Sequence, residues 1–132
     1  MVGAKPDDPD PVLVPAGYQV TPWLSRGEGQ VDGWIPFRFE FKPRHEIERI
    51  EFRLKVKTLP QIPETDTFHG KVDGKWYDFK SGFSDCVQEE PKALTIEVND
   101  KAVLKEVQTG LLRCCLQDDT YLYNAEMIVY YE

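Results

Sequence analysis

Groups that do chemistry are scarce in this sequence: it has two histidines, His45 and His69, and three cysteines, Cys86, Cys114 and Cys115. Neither histidine stands at a metal-ligand spacing such as His-x-x-x-His, no Cys-x-x-Cys occurs, and there is no Gly-x-Ser-x-Gly elbow and no glycine-rich loop to cradle phosphate. His45 falls in a charged turn and His69 beside Phe68 in a strand, both settings for a structural or solvated ring, and nothing local marks Cys86 as an activated partner for His69. An enzyme is therefore not expected. No run of about 18 apolar residues exists, which excludes a membrane-spanning helix and predicts no membrane insertion. Lys and Arg number 16 against 23 Asp and Glu, a formal net charge of −7. Because affinity for phosphate backbones rests on basic side chains displacing counterions, nucleic acid is not expected as a partner. Three cysteines cannot all pair, and neighbours on a strand point to opposite faces, so a disulfide framework is not implied and at most a single bridge from Cys86 remains.

What is present is core material. The 132 residues include seven Phe, six Tyr and three Trp, and a chain of this length buries about two-thirds of its unfolded surface around one core. Residues 1–16 stand apart: Pro6, Pro9, Pro11 and Pro15 lie among Asp7, Asp8 and Asp10, a composition that cannot form a helix and has little to bury. They read as an extended arm preceding a domain over residues 17–132. They also lack the apolar stretch of a secretory signal, which predicts a cytosolic chain or a mature or recombinant form. Within the arm, Val12, Leu13 and Val14 can dock as a short edge strand, on the chain's own sheet or on a neighbour's.

Beyond the arm, a period of two dominates. Phe37, Phe39 and Phe41 alternate with Arg38, Glu40 and Lys42, and Ile50, Phe52, Leu54 and Val56 alternate with Glu51, Arg53, Lys55 and Lys57. These predict two antiparallel strands joined across residues 43–46, with one apolar face and one mixed-charge, solvated face. Asp73-Gly74 between residues 68–72 and 75–79 predicts a type I′ hairpin, since both central positions need positive φ. Leu94, Ile96 and Val98 mark a further strand; Asn99-Asp100 caps a short helix over 101–108 that Gly110 ends. Residues 112–131 read as a closing hairpin around Gln117-Asp118-Asp119-Thr120. The fold class is all-β: an antiparallel β-sandwich, jelly-roll-like, with at most one short helix.

The stretch from Gly110 through Leu112-Arg113-Cys114-Cys115-Leu116 and Gln117-Asp118-Asp119-Thr120 to Tyr123-Asn124-Ala125-Glu126 resembles the closing hairpin of β-sandwich domains in bacterial exported proteins, the PEP-CTERM-associated proteins among them. The resemblance covers 17 of the 132 residues, about an eighth of the chain. It implies an exported surface or matrix module, hence an extracellular or cell-surface location, and it transfers no catalytic residue.

Two non-catalytic roles follow from the residues. A self-assembling structural subunit, forming a homo-oligomer or filament, is suggested by Val12, Leu13 and Val14, by Tyr130-Tyr131 and by the mixed-charge surface. A carbohydrate-binding or adhesion domain is suggested by the tryptophans, because flat rings stack on sugar faces while polar neighbours fix hydroxyls. If Phe79 points inward so does Tyr77, which leaves Trp76 and Asp78 outside; Trp76, Asp78 and Trp34 are the candidate residues for a glycan. Glu64, Asp66, Asp73, Asp78 and Asp85 sit close in sequence, but carboxylates in turns commonly serve as turn formers rather than as an acid-base pair. No cofactor is required, and the one ion the sequence suggests is calcium, for which Asp118, Asp119 and Asp66 are the oxygen ligands expected.

Overall fold

A computed structural model describes residues 12–17, 34–60, 66–117 and 120–132. They form eight strands, β1 (Val12–Gly17), β2 (Trp34–Glu40), β3 (Ile47–Thr58), β4 (Thr67–Val72), β5 (Lys75–Ser81), β6 (Lys92–Val98), β7 (Leu111–Gln117) and β8 (Thr120–Tyr131), with a single α-helix, α1 (Lys101–Val107), and one 3-10 turn at Ser84–Cys86. Pairing is nested: β1 lies against β8, β2 against β7, β3 against β6 and β4 against β5, all antiparallel. β3 adds to β8 and β4 adds to β7. Two four-stranded sheets result, β1-β8-β3-β6 and β2-β7-β4-β5. First-with-last nesting in two facing sheets is the strand order of a jelly roll.

β1 belongs to both sheets. Val12–Pro15 pair with β8, and Ala16 and Gly17 then pair with Phe39 and Arg38 of β2. Pro15 has no amide to give a ladder, and it is here that the strand changes partner. The boundary expected between residues 16 and 17 thus falls inside β1. Residues 12–14 dock on the chain's own sheet, opposite Val129, Ile128 and Met127, with Val14 buried and Leu13 52% exposed.

Two of the expected hairpins are not hairpins. β2 and β3 follow one another in the chain but lie in different sheets, and so do β7 and β8. Their apolar faces meet across the core instead of lying side by side. Asp73-Gly74 does join strands that pair with each other, and both residues have positive φ, 51° and 77°, as a type I′ turn requires. Within β8 the ladder to β3 slips between Lys55 and Val56, which pair with Asn124 and Leu122. Tyr123 is the extra residue of that bulge and is exposed, while the inward phase passes from Ala125 to Leu122.

The core between the sheets is aromatic. Phe52 of β3 stands 5.7 Å from Phe39, 5.0 Å from Phe68 and 4.7 Å from Phe79, so one ring of one sheet touches three of the other. α1 closes one end, burying Val103 and Val107. Asp100 caps it, Oδ1 accepting from the amides of Ala102 at 2.8 Å and Val103 at 3.3 Å. Gly110 follows with φ +91°, where an added Cβ would stand 2.5 Å from the carbonyl oxygen of Phe41. All three cysteines are free and buried, so the single bridge left open for Cys86 does not form.

Candidate functional site

The β4–β5 hairpin presents the aromatic candidate. On β5, Phe79 packs 4.7 Å from Phe52 and 5.2 Å from Phe68, seated over Gly70, where a Cβ would come within 2.6 Å of its ring. With Phe79 and Tyr77 turned inward, Trp76 and Asp78 face out, as the alternation predicts. Trp76 is 50% exposed.

Its ring does not stand alone. His69 of β4, 3% exposed, meets it edge-on, centroids 4.8 Å apart at 69°. His69 Nδ1 lies 3.1 Å from Thr67 Oγ1 and 4.0 Å from Asp78 Oδ1. Burial pushes the imidazole below its ordinary pKa, and the Asp78 charge pulls it back in part. Lys71, directly opposite Trp76 in the β4–β5 ladder, holds its Nζ 5.6 Å from the indole centroid. Register then runs across the sheet: His69 is opposite Cys115, Cys115 opposite Pro36, and Arg113 opposite Arg38. Trp34 pairs with Gln117, which pairs in turn with Thr67, so its backbone lies in the same sheet three strands from β5. Its side chain is outside what the structure describes.

The calcium candidates are split. Asp118 and Asp119 lie outside the described residues, and Asp66 is fully buried with Oδ2 accepting the Thr120 hydroxyl at 2.5 Å. No three His, Cys, Asp or Glu among the described residues are grouped to hold a metal ion. The other carboxylates serve locally: Asp85 pairs with Lys80 at 3.3 Å, and Asp73 forms the hairpin turn. Cys86 does not lie against His69. It sits in the core, donating weakly to Asp85 Oδ1 at 3.6 Å, and burial pushes its thiol up to about 11, so almost no thiolate exists near neutrality.

The largest cavity among those described, about 480 Å³, opens between α1 and the start of β3. Glu46, Glu48, Glu132, Lys101 and Lys105 line it, three acids against two bases, with no aromatic ring to stack on a ligand. The Trp76 face is the more specific feature.

No family model and no curated protein matches this chain. The site therefore rests on its own geometry. Sequence reasoning named Trp76 and Asp78 and turned both outward; it did not name Lys71, Arg113 or Arg38, and it did not place His69 against the indole. Strand alternation marks Arg113 and Lys71 as outward-facing; only the cross-strand register brings them to one face with Trp76.

Proposed function

We propose that this jelly roll is a non-catalytic binding module that takes a saccharide on the outer face of the β2-β7-β4-β5 sheet, with Trp76 as its platform. One observation carries the reading: a half-exposed indole packed against a buried histidine, the two ring centroids 4.8 Å apart. Stacking on a sugar face needs a flat apolar surface that loses little freedom on binding, and a ring packed against His69 has already lost it. Asp78, exposed beside it, supplies acceptors for hydroxyls. An exported or cell-surface setting suits such a module and agrees with what the C-terminal resemblance implies.

Self-assembly is the second reading, and its support is narrower. Val12–Val14 are paired with β8 of the same chain, and of the two side chains described in that strand Val14 is buried and Leu13 exposed. A glycan array probed with the parent chain and with Trp76→Ala tests the first reading. Discrete glycans retained by the parent and lost by the variant are expected; an array with no signal at all overturns it. Light scattering that shows an oligomer in that case favours assembly.

A further inference from the structure

We infer that the saccharide is an acidic polymer, bearing carboxylate or sulfate groups, and that Lys71 and Arg113 are the residues that read its charge. The inference rests on the glycan reading and narrows it. In a chain with a net charge of −7, exposed cations gathered on one sheet face are not background. Arg38 and Arg113 stand directly opposite one another in the β2–β7 ladder, a placement in which like charges repel. Glu40 answers Arg38 at 3.3 Å. Among the described residues no ion pair answers Arg113 or Lys71.

These two cations line one shallow cavity of about 210 Å³ with Thr109 and Glu106. The Glu106 carboxylate is engaged there, Oε1 accepting the Asp73 amide at 2.8 Å. Lys71 connects this cavity to the platform, since its Nζ stands 5.6 Å from the Trp76 centroid. Trp76, Lys71, Arg113 and Arg38 thus follow one another across β5, β4, β7 and β2, three strand spacings or roughly 14 Å. A chain of sugars covers that length and a single sugar does not. A ligand stacked on Trp76 and running toward β2 leaves Asp78 at its start, passes over three positive side chains with Glu106 beside the first two, and meets Glu40 at the far end. Nucleic acid is the other polyanion with flat rings, and it is disfavoured because three cations on an acidic protein release too few counterions for appreciable affinity.

Isothermal titration of the whole chain against four probes tests this: polygalacturonate for carboxylate, dextran sulfate for sulfate, a neutral β-glucan, and a single-stranded oligodeoxynucleotide. The variants are Trp76→Ala, the double variant Lys71→Glu with Arg113→Glu, and Lys55→Glu on the other sheet as a control of equal sign. Binding of one acidic polysaccharide is expected, weakened roughly tenfold or more by the double variant and little by Lys55→Glu. It should also fall between about 0.1 and 1 M salt, as the Debye length shrinks from about 10 to about 3 Å. Which acidic probe binds separates carboxylate from sulfate. A neutral glucan bound through Trp76, indifferent to salt and to the double variant, overturns this inference and leaves the glycan reading intact. Binding of the oligonucleotide alone, or of no probe, overturns both. Melting curves of each variant that overlay the parent secure the comparison, since all the substituted side chains are exposed.

Discussion

The hydroxyl of Thr120 donates a 2.5 Å hydrogen bond to Oδ2 of Asp66, a carboxylate with no exposed surface. Thr58 Oγ1 lies 2.8 Å from the same Thr120 oxygen. A hydroxyl carries one proton and Thr120 gives its own to Asp66, so the chain of donation runs Thr58 to Thr120 to Asp66. It ties the end of β3 and the start of β8 to the entry of β4. Thr120→Val removes the middle member and takes a donor from a buried carboxyl oxygen, at an expected cost of about 1–3 kcal/mol. Thr120→Ser should stay near the parent. Urea denaturation of the two variants distinguishes a hydrogen-bonding role from a packing one, and equal stability of both would contradict it.

His69 makes stability depend on pH in a defined direction. Its folded pKa lies below the ordinary 6.5 because burial disfavours the imidazolium. The unfolded chain therefore binds a proton that the folded chain resists. Stability from this group is complete above about 6.5 and declines as pH falls through that value toward the folded pKa. Thermal melts between pH 7.5 and 5.5 should show the parent losing more stability than His69→Gln, a window above ordinary carboxylate titration.

Phe52 and Trp76 are both large aromatics with opposite expected costs. Phe52 is fully buried among three rings, and Phe52→Ala should cost about 3–5 kcal/mol, close to the whole stability of a small domain. Trp76 is half exposed, and Trp76→Ala should change stability by about 0.5 kcal/mol or less. Denaturant titration of the two variants checks the pair. A Trp76→Ala protein as crippled as Phe52→Ala would make the indole core material rather than a platform.

The three thiols should be silent to Ellman's reagent in the folded protein. Cys86 is fully buried with its thiol raised to about 11, burial raises Cys114 well above the ordinary range, and Cys115 is 3% exposed. Three equivalents should titrate once guanidinium unfolds the chain. Rapid reaction of any one at neutral pH would locate an opening of the sheet that its burial does not suggest.

Local alternation was enough to determine faces. Of the inward set, Phe37, Phe39, Ile50, Phe52, Leu54, Val56, Leu112, Cys114 and Leu116 are buried as a period of two requires, Phe41 lies past the end of β2 and is only partly buried, and anchoring β5 on Phe79 correctly turned Trp76 outward. Asp73-Gly74 and the Asp100 cap were legible for the same reason: a turn and a helix start are decided within a few residues. The nesting of strands was not legible. An apolar stripe seeks another apolar stripe, and the sequence is indifferent to whether that stripe lies beside it in one sheet or across the core in the other, so β2–β3 and β7–β8 read as hairpins until the fold separated them. Neither could residue order show that Val12–Gly17 joins two sheets, nor that Lys71, Arg113 and Arg38 align with Trp76. That alignment depends on register between strands up to about 80 residues apart in sequence, and such register is set by which side chains share the core once the sheets close.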